Sequence, residues 1–139
     1  MWSTSHTIDI SAQPDKVWAI WADAANWAKL DENIAASKLD GPLEEGATGE
    51  ITLKGGGTGL AITVVECDPG TRFAYQAETN GITIKADHSV ESTSDGCKVS
   101  MTLEMEGMAV FLIAPTLGKK LEEQLPVSMG NLKKLVEGL

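Results

Sequence analysis

Two neighbouring segments of this chain alternate strictly between apolar and polar residues. In "GITIKADHSVES", residues 81–92, the apolar positions run from Ile82 to Val90, and His88 stands among them. In "CKVSMTLEMEG", residues 97–107, Cys97 to Met105 form a second such series. A period of two places one set of side chains on one face of a strand. The sequence therefore predicts two half-buried strands joined by the tight turn at residues 94–96.

Shorter segments with the same alternation precede this pair. The turn at residues 68–70, Asp-Pro-Gly, supplies the preset φ of proline and the tolerance of glycine for positive φ. Short turns between alternating strands are typical of an antiparallel meander with one buried face. The predicted strands lie in "HTIDIS", "NIAASKLDG", "ATGEITLK", "GLAITVVEC" and "TRFAYQAE".

Helical spacing appears at two places. "PDKVWAIWADAANWAKL", residues 14–30, begins with Pro14 in the first turn, where its missing N–H costs nothing. Asp23 and Asn26 are expected to divide it into two short helices. Near the end of the chain, apolar residues recur at steps of three or four, which predicts one face of a long helix with a kink at Pro126. This stripe comprises Leu117, Leu121, Leu125, Ser128, Leu132, Leu135 and Leu139.

A sheet with one apolar face needs a cover, and only the C-terminal helix is long enough to supply it. The order of elements predicts one α+β domain over residues 1–139. A curved sheet closed over one helix leaves a cavity between them, lined by apolar side chains with a few polar ones.

Composition and charge exclude several functions. The net charge of −9 argues against nucleic-acid partners and against anionic membrane surfaces. No run of eighteen apolar residues occurs, so no membrane insertion is expected. The first residues, "MWSTSHTID", lack the basic and apolar regions of a signal peptide, so we expect a cytoplasmic protein.

No motif indicates a cofactor or a metal. HExxH, GxSxG and paired Cys or His ligands are absent from the sequence, and Cys67 and Cys97 are expected to be free thiols. "LKGGGTG", residues 53–59, has its lysine before the glycines and a strand after them, unlike a phosphate-binding loop. We interpret it as a hairpin tip at the mouth of the cavity.

At the level of whole segments the chain resembles the polyketide cyclase/dehydrase branch of the START-like, or SRPBCC, superfamily. The segments that carry the resemblance are "ISAQPDKVWAIWADAANWAKL", "VVECDPGTRFAYQ", "DHSVESTSDGCKVSMTLEMEG" and "LPVSMGNLKKLVEGL". The resemblance implies the helix-grip fold, a curved seven-stranded antiparallel sheet around a long C-terminal helix, with a deep hydrophobic pocket. Members of this superfamily bind lipids, polyketides or other apolar small molecules, and a minority catalyse cyclisation or dehydration.

His88 is the strongest candidate for a functional residue. Its alternation with polar residues points it inward, opposite Met101 if the turn lies at residues 93–96. It is either a core histidine with one hydrogen bond, a polar group that orients a ligand, or a general acid/base. His6 and Glu66 have inward parity too, but the register that decides whether they reach the cavity is left open.

The predicted ligand-binding residues share the inward face of the sheet or the apolar stripe of the helix. Met101, Met105 and Met108 would give an adaptable lining, although core packing explains them equally well. The ligand-binding set comprises Phe73, Tyr75, Ile84, Ala86, His88, Met101, Leu103, Leu117 and Leu121.

Three functions follow from these patterns. The first is binding or transport of a small apolar ligand in the cavity. The second is a cyclase/dehydratase-type enzyme with His88 as acid/base, which would need at least two convergent polar groups. The third is an interaction module with a filled pocket and an exposed apolar patch. The sequence favours the first function and indicates neither the ligand nor the oligomeric state.

Overall fold

The computed structural model describes residues 1–54, 59–79 and 81–138. One seven-stranded antiparallel sheet has the strand order β1-β7-β6-β5-β4-β3-β2. Two short helices follow β1 and a long helix ends the fold, so the predicted helix-grip architecture is confirmed. The strands are β1 (Trp2–Ile10), β2 (Ile34–Leu39), β3 (Thr48–Leu53), β4 (Leu60–Asp68), β5 (Arg72–Thr79), β6 (Ile82–Thr93) and β7 (Gly96–Glu106). The helices are α1 (Pro14–Ala22), α2 (Trp27–Leu30), α3 (Val110–Ile113) and α4 (Lys119–Glu137).

Four strands bring one row of side chains together across the inner face of the sheet. His6 pairs with Met101, Met101 with His88, and His88 with Phe73. The predicted pairing of His88 with Met101 is therefore correct. Because residues paired across antiparallel strands point to the same face, this row forms the floor of the space beneath the helices.

A β-bulge in β4 changes the predicted direction of Glu66. The pairing with β5 shifts between Val64, which lies opposite Tyr75, and Glu66, which lies opposite Ala74. One extra residue reverses the alternation beyond it. Glu66 therefore points to the outer face, where it forms ion pairs with Arg72 and Lys85. The inward parity expected for Glu66 is wrong.

The break between α1 and α2 follows from two side chains. A 3₁₀ turn, Ala24–Asn26, separates the helices. Asp23 Oδ1 accepts a hydrogen bond from the Ala25 N–H at 3.2 Å, and Asn26 Nδ2 donates to the Ile20 carbonyl at 3.1 Å. Both side chains replace the helical partners of the backbone. The predicted division into two helices is confirmed.

The apolar stripe of α4 covers the sheet along only part of its length. Leu125, Met129, Leu132 and Val136 are buried, whereas Leu121 and Leu117, which precedes α4, are half-buried. Leu139 of the predicted stripe lies outside the described residues. Pro126 lies on the exposed side of this helix without ending it. In the parts of the chain that the structure describes, no helix is both long and apolar enough to cross a membrane.

The segment before α4 exposes apolar side chains. Met108, Phe111 and Leu112 are 92%, 74% and 68% exposed, and a π-helical turn, Ala114–Gly118, then leads into α4. Gly118 lies so close to the Trp2 indole that a Cβ atom there would be 2.8 Å from the ring. The expectation that Met108 belongs to an adaptable lining is wrong, since its strand ends at Glu106.

We expect the buried and half-buried leucines of α4 to differ in their contribution to stability. Leu125→Ala should lower the free energy of unfolding by roughly 2–5 kcal/mol, because it leaves a cavity at a position that is 4% exposed. Leu121→Ala should cost clearly less, and Val127→Ala, on the outer side, should cost little. Denaturant midpoints of the three variants test this, and equal losses for Leu121 and Leu125 would contradict the packing described.

Candidate functional site

A small cavity lies between α4, the two short helices and the inner face of the sheet. Its volume is about 50 Å³. For comparison, an engineered cavity of about 150 Å³ is large enough to bind benzene. The cavity thus has room for a few waters and not for a benzene-sized molecule. Its lining comprises Trp21, Trp27, Leu30, Asp31, Ile34, Tyr75, His88, Met101, Ser128, Met129 and Leu132.

His88 lies at the centre of an aromatic cluster. Its ring stacks on Phe73, with centroids 4.1 Å apart and planes at 9°. Trp21 meets the imidazole edge-on at 5.4 Å and 75°. Such contacts supply packing energy and exclude water from the ring. Phe73 is fully buried against the imidazole and is not part of the cavity lining.

A second stack forms one wall of the cavity. The Trp27 indole lies 5.3 Å from the Tyr75 ring with planes at 15°. Trp27 Nε1 donates a hydrogen bond to the Trp21 carbonyl at 3.0 Å, which fixes the ring between α1 and β5. The indole face is therefore held in one orientation, with its only polar atom already satisfied.

Burial controls the protonation of His88. The residue is 7% exposed, and its Nδ1 atom is buried without a hydrogen-bond partner among the residues that the structure describes. Burial lowers the pKa of His88 to about 4, and the nearby Asp87 carboxylate and the backbone groups of Phe73 and Ala86 only partly oppose this effect. His88 thus faces the cavity, as its alternation predicts, and burial favours its neutral form.

Tyr75 and Asp31 both line the cavity. Burial raises the pKa of the Tyr75 phenol, and the negative charge of Asp31 raises it further, so the phenol stays protonated. Burial also raises the pKa of Asp31. Asp31 Oδ1 accepts a hydrogen bond from the Asn33 N–H at 2.8 Å, which lowers this pKa and holds the side chain at the end of α2.

Sequence reasoning missed two polar residues of the lining, Asp31 and Ser128. Ser128 carried a visible signal, because it is the one polar residue in an otherwise apolar stripe of α4, and it is buried. Asp31 carried no such signal. It follows α2 in a short turn, and only the packing of that turn against the sheet brings it to the cavity.

The predicted ligand-binding residues fall into two groups. Tyr75, His88 and Met101 line the cavity. The other six lie outside this cavity: Phe73 and Ala86 are buried, and Ile84, Leu103, Leu117 and Leu121 are half-buried.

The half-buried members continue the inner surface beyond Met101, towards the part of α4 that covers the sheet least. His6 faces inward but is not part of the lining. The predicted hairpin tip at residues 53–59 falls largely on residues 55–58, which lie outside the described residues.

No metal centre emerges from the part of the chain that the structure describes, since no three His, Cys, Asp or Glu side chains there are grouped to hold an ion. Cys67 and Cys97 are free thiols in the structure.

Known structures share this fold at low sequence identity. A protein from Mesorhizobium loti has a TM-score of 0.77 and 16% identity, with 98% of this chain and 97% of that chain covered. Norcoclaurine synthase from Thalictrum flavum, solved with dopamine and hydroxybenzaldehyde, has a TM-score of 0.70 and 15% identity, with 99% and 87% covered. The protein Ara h 8.0201 has a TM-score of 0.78 and 11% identity, with 99% of both chains covered.

Comparison with curated protein sequences gives no match. The family described as polyketide cyclase/dehydrase and lipid transport matches residues 1–137. That match covers nearly the whole chain and agrees with the helix-grip fold. The chain therefore belongs to the polyketide cyclase/dehydrase and lipid-transport family.

Proposed function

We propose that this protein binds or carries a small, largely apolar ligand in the cavity beneath α4. One observation carries the proposal: a buried, neutral histidine faces an aromatic cavity and leaves its Nδ1 atom without a partner. A buried polar atom without a hydrogen bond costs about 1–3 kcal/mol. A ligand with one polar end would recover part of this cost, and the family description supports apolar ligands in general.

The small volume of the cavity either limits the size of the ligand or requires the surrounding side chains to move. At about 50 Å³, the space is below that of one benzene ring. Met101 and Met129 line it, and their unbranched side chains adapt at little cost. A compact aromatic molecule therefore fits after side-chain movement, whereas a long acyl chain would have to displace α4 or extend along the half-buried surface near Leu103 and Leu121.

An enzyme is the second candidate, because four polar side chains meet at the cavity: Asp31, Tyr75, His88 and Ser128. This meets the requirement for convergent polar groups. His88 is nevertheless a poor acid/base at neutral pH. With a pKa of about 4, only about one imidazole in a thousand is protonated at pH 7. Its neutral ring is better suited to orient a ligand by a hydrogen bond.

The exposed apolar segment favours the third candidate, an interaction module, and we propose a second copy of this chain as its partner. Met108, Phe111 and Leu112 present three large apolar side chains to solvent. Neighbouring apolar side chains of this kind often mark contact surfaces.

We expect toluene and phenol to bind in the cavity, because both combine an aromatic body with a size that the methionines can accommodate. An NMR titration should shift the indole N–H signals of Trp21 and Trp27 and leave that of Trp2 unchanged. Ser128→Met should abolish these shifts by filling the cavity, whereas Val127→Met, on the exposed side of α4, should not. Unperturbed cavity indoles with both probes, or full binding by Ser128→Met, would contradict the proposed site.

We expect the protein to self-associate through the exposed segment. Sedimentation equilibrium of the wild type and of the double variant Phe111→Ser/Leu112→Ser tests this. A wild-type dimer that the double variant converts to monomer would support the third candidate. A monomeric wild type, or a dimer unaffected by both substitutions, would exclude this contact.

We expect His88 to make stability dependent on pH. Its pKa is about 4 when folded and about 6.5 when unfolded, so the unfolded state binds more protons between these values. The stability that the fold gains by burying His88 in its neutral form is fully present above about pH 6.5. It is lost as the pH falls towards 4, and the free energy of unfolding is lower by about 2 kcal/mol at pH 5.

Urea denaturation at pH 7 and pH 5 measures this loss. His88→Phe should remove that part of the pH dependence, and His6→Gln should retain it. Equal pH dependence in His88→Phe and the wild type would show that His88 is not buried as a neutral ring.

A further inference from the structure

The cavity lining is asymmetric in charge. Of its eleven residues, Asp31 is the one with a formal charge at neutral pH, because His88 is neutral. In the described part of the chain, neither a lysine nor an arginine belongs to the lining. A ligand with a carboxylate or phosphate would therefore meet one like charge and no opposite charge.

The Asp31 carboxylate is half-buried, and among the described residues no lysine or arginine forms an ion pair with it. Its turn is firmly fixed. The Asp31 N–H donates to the Trp27 carbonyl at 3.1 Å, and the Asp31 carbonyl accepts from the Ile34 N–H at 3.0 Å. Asn131 on α4 donates from Nδ2 to the Leu30 carbonyl at 2.9 Å. The carboxylate thus stays at the cavity without rearrangement of the chain.

The aromatic wall suits the ring of an aromatic ligand. Aromatic side chains pack favourably with other rings in offset-stacked or edge-on contacts. Trp27 and Tyr75 stack with each other and both line the cavity with Asp31. The net charge of −9 further favours the approach of cations and opposes that of anions.

We propose that the cavity selects a small aromatic amine in its protonated form, with the ammonium group at Asp31 and the ring against Trp27 and Tyr75. The inference rests on the proposed ligand-binding function and specifies the class of ligand. A cation supplies the charge that the lining lacks, and it forms charge-assisted hydrogen bonds with a carboxylate already partly removed from water.

Three ligands of nearly one shape separate charge from size: benzylamine, benzyl alcohol and benzoate. NMR titration at pH 7 through the Trp21 and Trp27 indole signals gives each dissociation constant, with Trp2 as the internal reference. We expect benzylamine to bind about tenfold more tightly than benzyl alcohol, and benzoate to bind least.

Asp31→Asn should remove the preference for benzylamine and leave the affinity for benzyl alcohol nearly unchanged. Glu32→Gln is the matched control, because it removes the same charge from the neighbouring exposed residue. It should retain the preference, which separates a contact at Asp31 from general attraction to an acidic protein.

The outcomes distinguish this inference from the function on which it rests. If benzyl alcohol binds as tightly as benzylamine, or if both variants behave alike, the selection of cations is wrong while ligand binding stands. If benzoate binds best, the cavity selects anions and the inferred preference for cations is wrong. If none of the three ligands shifts the cavity indoles, both the proposed function and the inference are overturned.

Discussion

The fold depends on the burial of one face of a curved sheet beneath a helix that covers it unevenly. Leu125, Met129 and Leu132 of α4 close the sheet near the short helices, whereas Leu117 and Leu121 stay half-buried. Close packing at one end and looser packing at the other leave space in the interior. Since interiors are normally packed as densely as organic crystals, such a space is a local feature of these side chains.

That packing also explains why His88 is buried in its neutral form. The ring stacks on Phe73 and meets Trp21 edge-on, so the contacts that stabilise it also remove it from water. Desolvation favours the neutral form, and the partnerless Nδ1 atom adds a cost that the fold alone does not recover. A Phe or Leu at this position would pack without that cost. The polar atom is therefore more readily explained by a ligand than by stability.

Alternation along the sequence was sufficient to predict the sheet and the inward direction of His88, because a period of two is a local property. It failed at Glu66, where a bulge inserts a residue and reverses the parity. Bulges depend on pairing with a neighbouring strand, which a single segment does not reveal. Asp31 was missed for a similar reason, since the packing of a turn against distant strands brings it to the cavity. Ser128 could have been found, as a polar residue in an apolar stripe.

The comparisons separate what the backbone determines from what the side chains determine. Proteins with only 11–16% identity keep the same arrangement of strands and helices. The lining of this cavity consists of eleven side chains, and several, such as Met101 and Met129, can change without disturbing a strand or a helix. Function in such a fold resides in the site and not in the architecture. The charge of Asp31, the neutral ring of His88 and the adaptable methionines are thus the features on which ligand binding by this chain would depend.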